Sequence, residues 1–467
     1  MSHGDINLRG INPPLSRFHT QGRFGRLFPG LRPFAPDLPR VREKLQELGN
    51  KGGLMDAQDP APPAVSPTNA DNDALSSGFT FLGQFLDHDL TFDPTSSLER
   101  QNDPEAIENF RTPALELDNV YGSGPGASPH LYDLRDPAKL LIDEAAPNDV
   151  PRNSQNVAII GDPRNDENLI VNQLHLAMLK FHNALVDHVR ARGTTGAQVF
   201  EEAQRLTRWH YQWMIIHEFL PRTVGGDVVR DVLNTPPRDR FYQFRNQPFI
   251  PVEFAVAAYR FGHSQVRPGY RVNAGFAASI FNSALPLEDP DPNDLRGGKR
   301  AARRFVEWQR FFLLGDPALR QLGKKIDTTL SSPLFQLPPG VAANPNSLAQ
   351  RNLLRGLAFG LPSGQDMARA MRVPVLTPGE LDELRPLGVG FERSTPPWYY
   401  ILREAELRGE GKRLGPLGGR IVAEVFLGVL QGDRHSYLSQ NPDWKPELAA
   451  ANGEFTIGDL LKFAKVA

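Results

Sequence analysis

The sequence predicts a mainly α-helical fold with long loops and little β structure. Three observations carry this. Two long stretches repeat apolar residues every three or four positions, strand-like alternation is scarce, and Pro/Gly-rich loops separate the helical stretches. Residues 1–74 stand apart and read as an N-terminal arm wrapping the main body. They are rich in Pro, Gly and Arg, with one helical stretch at 39–50 ("PRVREKLQELGN") and a loop at 56–73. The body, 75–467, reads as a single domain. It opens with a helix over 75–92 ("LSSGFTFLGQFLDHDLTF"), which Pro94 ends. The two long helical stretches follow, 167–193, stopped by Gly193, and 197–225. Shorter helices are expected near 253–260, 299–314, 348–357, 379–384, 417–430 and 457–465, the last packing back on the body. There is no internal repeat.

Length alone, at 467 residues, would allow two or three domains. Hydrophobic residues make up 40%, charged residues 23%, and the net charge is -2, a balance that points to neither a nucleic-acid nor a membrane-surface partner. The basic run "GGKRAARR" (297–304) is expected to be a solvated helix start. No 18-residue apolar run exists, so no membrane span is expected. The N-terminal stretch has no apolar leader core, so the expectation is a cytoplasmic chain or one exported without a classical leader. Cys is absent, which excludes disulfides, thiolate nucleophiles and Cys-ligated centres; metal chemistry must use His, carboxylates or carbonyls.

Five stretches carry candidate chemistry. In "GQFLDHDLTFD" (83–93), Gln84 and His88 share a helix face, while Asp87 and Asp89 lie about 100° to either side of His88. His88 then addresses one place and each aspartate another; a surface His satisfied by its neighbours is the plainer reading. In "RTPALELDNVYG" (111–122), an extended loop would aim Thr112, Glu116 and Asp118 to one side. With the Ala114 carbonyl and Asp89 they offer the hard oxygen ligands that suit Ca²⁺; an ordinary polar turn is the alternative. "GDPRNDENL" (161–169) spaces Arg164 and Glu167 as a local ion pair would. "AAYRFGH" (257–263) ends in a His after Gly, commonly a satisfied turn histidine. "QRNLLRGLAFGLP" (350–362) puts Asn352 and Arg355 on one face of an apolar helix. Two further pairs, His175 with His182 and His210 with His217, are spaced to share a helix face as metal ligands, although core roles are the plainer reading.

Taken together, the five stretches resemble the animal haem peroxidases of the peroxidase–cyclooxygenase superfamily, to which myeloperoxidase, lactoperoxidase and peroxidasin belong. The resemblance runs from about 80 to 430 and rests on "GQFLDHD", T-x-A-x-E-x-D-x-V-Y-G, R-x-x-E, R-x-G-H, and N-x-x-R followed by G-L-P. The lack of Cys and of a leader is similar to the shorter bacterial members. The resemblance implies a single haem-peroxidase domain that reduces H₂O₂ and oxidises small donors (iodide, thiocyanate, bromide, phenols) through a ferryl intermediate. It implies haem b and Ca²⁺ as cofactors. His88 corresponds to the distal histidine, Arg164 to the distal arginine and Gln84 to the cavity glutamine. His263 corresponds to the axial ligand of the haem iron, Asn352 to its hydrogen-bond partner, and Arg260 and Arg355 to residues near the propionates. Asp87 and Glu167 match carboxylates that form ester links to haem methyls. Asp89, Thr112, Ala114, Glu116 and Asp118 match the calcium site, with Glu116 where relatives often have Asp.

The chemistry explains the residue types. Peroxide cleavage needs a proton moved from the inner to the outer oxygen, which a neutral His performs as base and then acid. A nearby Arg stabilises the developing charge. A neutral Asn partner leaves the axial imidazole less electron-rich than a carboxylate would, which favours a higher iron potential. Asn168 stands where myeloperoxidase-like members have a Met bonded to haem through sulfur, so weaker chloride oxidation is expected. The alternative on the same fold is a fatty-acid dioxygenase of the cyclooxygenase or α-dioxygenase type. Cyclooxygenases place a radical-forming Tyr three residues before the axial His; here that position is Arg260, with Tyr259 one further back. A third possibility is a haem-free calcium-binding module, which Soret absorbance separates from the other two. None of these motifs encodes the oligomeric state.

Overall fold

A side-chain oxygen starts the longest helix of the chain. In the computed structural model, which describes residues 24–60, 66, 68–92, 109, 111–282, 291–338, 342, 344–450 and 452–467, the Asn168 carboxamide accepts from the Ile170 amide. This caps a 23-residue helix by satisfying one of its free N–H groups.

In chain order the helices that matter here are α1 (Pro39–Leu48), α2 (Gly78–Leu90), α3 (Asp118–Tyr121), α4 (Leu169–Ala191) and α5 (Gln198–Met214). They are followed by α6 (Leu220–Val224), α7 (Gly226–Asn234), α8 (Leu348–Ala358), α9 (Gly364–Ala370), α10 (Pro397–Arg408), α11 (Pro416–Gly432), α12 (Tyr437–Gln440) and α13 (Ile457–Phe463). α4 packs on α5 across a short loop, and α2 and α13 lie against α4. Strands are few and short among the described residues. β1 (Asp71–Ser76) pairs antiparallel with β4 (Leu322–Lys324), and β2 (Gly269–Asn273) with β3 (Phe276–Ser279). One contiguous apolar core runs through all of it. The mainly helical expectation holds.

Four local expectations are corrected. The stretch 197–225 is not one helix, because a single π turn, Ile215–Phe219, interrupts it between α5 and α6. The helix near 253–260 is a π turn, Glu253–Ala257, followed by a 3₁₀ turn, Ala258–His263. The helix at 299–314 is absent apart from a short turn, Trp308–Arg310. There the basic run is solvated only in part: Lys299 and Arg303 are exposed, but Arg304 is 1% exposed and donates to the carbonyls of Pro292, Asp294 and Arg296. Its side chain takes up backbone acceptors that a surface helix start would leave to water. Finally, α10 was missed: residues 397–402 are buried without a break, and charged, partly exposed side chains enter only from Arg403 on.

Residues 24–60 run along the body. Gly25 exchanges backbone hydrogen bonds with Ile250 and Val252, Phe34 N donates to Leu361 O, and α1 packs on α8. The expected arm also includes 1–23, 61–65 and 67, which lie outside the described residues.

Candidate functional site

α2 is buried on every side but one. Gly83, Gln84 and Asp87 are half-buried at i, i+1 and i+4, while the rest of the helix is interior. His88 borders this open face and is 5% exposed. Its Nδ1 lies 2.7 Å from the Asn165 carboxamide oxygen. Burial lowers the imidazole to about 4, helped by the charge of Arg164 and opposed by Asp87, Asp162 and Asn165, so His88 is neutral at pH 7.

Arg164 comes from the turn Pro163–Asp166, whose first amide is capped by Asp162. Its guanidinium donates to the carbonyls of His88, at 3.2 Å, and Thr91, and lies over the Phe92 ring. It also pairs with Asp162, Nη2 to Oδ2 at 2.7 Å, rather than with Glu167. Burial pushes Asp162 up, but hydrogen bonds and charge from Arg164, and the charge of Arg111, reverse this and leave it at about 2. Glu167 is accessible yet hemmed in; burial raises its carboxyl, with Arg164 opposing and Asp162 reinforcing. The turn is pinned from behind. Asp166 receives two hydrogen bonds from Arg152, at 2.7 and 2.9 Å, one from Asn172 at 2.7 Å, and lies 3.5 Å from Arg300.

A second wall is the turn Ala258–His263. Tyr259 OH donates to the Gly83 carbonyl at 3.1 Å, tying this turn to α2, and Trp398 Nε1 donates to Arg260 O at 3.1 Å. His263 Nδ1 lies 2.7 Å from Asn352 Nδ2 on α8. Burial, then the charge of Arg260, lowers His263 to about 3. Arg260 is itself lowered by burial, with the Asp87 carboxylate pulling it back up. Arg351 and Arg355 are half-buried on α8. Phe261 and Ser264 are buried, yet a Cβ on Gly262 would meet nothing within 4 Å. The open space beside Gly262, next to half-buried polar groups from three elements, is the candidate cleft, whose imidazoles suit a metal and whose guanidinium cations suit carboxylates.

The loop 111–117 is bent rather than extended, with Leu117 at φ 64°. The alternation argument for Thr112, Glu116 and Asp118 therefore does not describe the geometry, but the bends still gather these groups beside Asp89. Asp89 Oδ2 accepts from Leu117 N and Tyr211 OH, each at 3.1 Å, while Oδ1 is buried without a partner. Burial, then the neighbouring Asp118, raises Asp89 to about 8; burial and Asp118 raise Glu116 to about 7; and burial raises Asp118. Mutually repelling carboxylates with an orphaned oxygen fit a hard cation. Among the described residues, though, no three His, Cys, Asp or Glu side chains are already close enough to form a cage.

Residues 99–384 match the family profile described as "Animal haem peroxidase". The chain belongs to the animal haem peroxidase family. Relatives include Heme peroxidase 2 of Caenorhabditis elegans, 27% identical over 70% of this chain and 48% of that protein. Mouse thyroid peroxidase is 24% identical over 72% of this chain and 39% of that protein. The chain thus spans less than half the length of these curated relatives. The fold is shared with peroxidase A of Dictyostelium discoideum at TM-score 0.63 and 17% identity, over 93% of this chain and 88% of that one. It is also shared with the fatty acid alpha-dioxygenase of Oryza sativa at TM-score 0.58 and 13% identity, over 99% and 85%.

Within this animal haem peroxidase the alternative histidine pairs do not form. His182 is bound to Tyr121 OH and Ala138 O, His210 to Leu206 O, and His217 stacks on Trp213. His175 instead contacts Asn165. Sequence reasoning missed Asp162, Asn165, Arg152 and Arg300. Their one signal was position, since Asp162 and Asn165 flank Arg164 closely; the partners come from remote segments. Among the described residues no helix is long and apolar enough to cross a membrane.

Proposed function

We propose that this chain is a haem peroxidase that reduces H₂O₂ and oxidises small donors. The observation that carries the reading is a pair of neutral imidazoles on two linked walls, His88 buried and His263 half-buried, each met at Nδ1 by an asparagine amide: His88 by Asn165 and His263 by Asn352. Haem b, when bound, supplies the iron centre at which the peroxide O–O bond is cleaved. His263 would hold the iron through Nε2. That requires Nδ1 to keep its proton and to find an acceptor, whereas the structure turns the Asn352 NH₂, a donor, toward Nδ1; the amide must turn over when haem binds. Arg260 and Arg355 would meet the propionates. His88 Nε2 takes the proton from the inner peroxide oxygen and returns it to the outer one. Gln84, on the same open face, hydrogen-bonds the incoming peroxide. Arg164 favours charge on the departing oxygen, with a field tempered by Asp162.

Asp87 and Glu167 are the carboxylates for ester links to haem methyls. Asn168 is spent on capping α4 and offers no sulfur, so iodide, thiocyanate, bromide and phenols are the proposed donors and chloride a poor one. Ca²⁺ would sit at Asp89, Thr112, Glu116, Asp118 and the Ala114 carbonyl, holding the end of α2 that carries His88. The dioxygenase reading shares the fold, but Arg260 occupies the position three before His263, and the Tyr259 hydroxyl is committed to the Gly83 carbonyl. The test is stopped-flow mixing of His88→Ala with H₂O₂. General acid–base groups contribute roughly 10²–10⁴-fold, so the reaction should slow by that order with haem content unchanged. A rate within threefold of the parent refutes the role.

A further inference from the structure

Asn165 is 0% exposed and sits between two buried histidines. Its Oδ1 is 2.7 Å from His88 Nδ1 and its Nδ2 is 3.0 Å from His175 Nδ1. An amide oxygen only accepts and an amide NH₂ only donates. His88 must therefore donate from Nδ1, which leaves Nε2 unprotonated. His175 must accept at Nδ1, which puts its proton on Nε2. Among the described residues His175 Nε2 is buried and makes no hydrogen bond, so the ring's polar contact is this amide. Its ring also meets Phe85 of α2 edge-on, 6.3 Å between centroids, which fixes its plane.

The two contacts are not interchangeable. Turning the Asn165 amide over would place NH₂ against His88 Nδ1, force the His88 proton onto Nε2, and remove the lone pair that accepts a proton from peroxide. We infer that Asn165 is a positioning residue that holds His88 in the tautomer with Nε2 free. The inference rests on the reading of His88 as the acid–base group. It also accounts for a polar residue at an otherwise interior position, Asn165, which contributes no group to the cleft itself. When His88 accepts a proton at Nε2, its Nδ1–H continues to donate to the same oxygen, so the contact survives the proton's passage and the ring does not turn.

The experiment reads the tautomer directly. Protein labelled with ¹⁵N-histidine, with and without haem, is examined by long-range ¹H–¹⁵N correlation, and the His88 signals are assigned by their loss in His88→Gln. His88 should carry its proton on Nδ1 in the parent. Asn165→Val should mix the two tautomers and slow both the peroxide reaction and cyanide association with the ferric protein, which also surrenders a proton to the distal base, by roughly 10–100-fold. Asn165→Asp keeps an acceptor in place and should keep the Nδ1 proton and a peroxide rate within about threefold of the parent; a purely structural role for the amide would not separate the two variants. A parent His88 protonated on Nε2 overturns this inference and leaves the acid–base reading standing. An unchanged peroxide rate in His88→Gln overturns both. Should the variants not fold, the parent's tautomer alone decides.

Discussion

Neutralising Asp166 should loosen the turn that carries Arg164 and Glu167 without touching either. Asp166→Asn keeps the shape and one acceptor, removes the charge and turns the other acceptor into a donor. That charge is shared by Arg152, bidentate at 2.7 and 2.9 Å, and by Arg300 at 3.5 Å. The side chains are 8% exposed in Arg152, 15% in Asp166 and 5% in Arg300. Arg300 is already strained, its guanidinium lowered to about 10 by burial despite Asp166 and Asp149. After substitution two buried cations share Asp149 alone. Breaking a buried pair costs about 3–5 kcal/mol. Arg152 keeps Asp149 at 2.8 Å, so the low end applies, about 3 kcal/mol. For 467 residues the unfolding entropy is about 1 kcal/mol per degree, so the melting temperature should fall by about 3 °C. Calorimetry of the haem-free protein reads this, and stopped-flow of the loaded protein should show a slower peroxide reaction. A melting temperature within 1 °C of the parent, together with an unchanged peroxide rate, would refute the pinning argument.

Removing Ca²⁺ with a chelator should lower the melting temperature and slow the peroxide reaction together, because Asp89 and His88 are adjacent on α2; elemental analysis showing no calcium in active protein rejects the site. Acid extraction after H₂O₂ treatment should leave haem attached in the parent and release it from the Asp87→Val/Glu167→Gln double variant; attachment surviving in that variant excludes ester links at these positions. The buried histidines should take stability away as pH falls from about 6.5 toward 4. His182 and His210 are lowered to about 4 by burial, so below their unfolded value of about 6.5 the unfolded chain binds protons that the folded chain refuses, at up to roughly 3 kcal/mol for each. Asp89 and Glu116, raised to about 8 and 7, pull the other way, so urea titrations at pH 7 and 5 compare the parent with His182→Phe; a variant that loses as much stability at pH 5 as the parent would contradict the sign.

What the sequence displayed and what it hid separate along a physical line. Helices with one wet face, α1, α2, α4, α5 and α13, announce themselves by period. α10 does not, because its first half, 397–402, is buried throughout and only its second half meets water. The motif residues were legible because each is a chemically costly choice inside apolar surroundings: Asp87, His88 and Asp89 among Phe and Leu, Asn352 on an apolar helix, His263 after Gly262. Their supports were not. Asn165 reaches a partner 77 residues away, and Arg152 meets Gly298 across 146 residues; no local spacing encodes either contact. The loop 111–118 shows a subtler failure. Its ligand types were readable, but the period-two geometry was not real, since Leu117 in the left-handed region turns the chain and Asp89 arrives from another element.

The run Asp87-His88-Asp89 gains its meaning from what α2 touches. A helix turns each successive side chain through about 100°, so three consecutive residues meet three environments. Asp87 faces the open cleft and the charge of Arg260; His88 meets the buried amide of Asn165; Asp89 is enclosed with Glu116, Asp118 and the Tyr211 hydroxyl. Each neighbour comes from a different segment of chain, and α2 is the rigid body common to them. A displacement at the carboxylate cluster must therefore move the imidazole and the cleft-facing carboxylate together. By this route the proposed Ca²⁺, bound outside the cleft, would govern the proposed proton transfer within it.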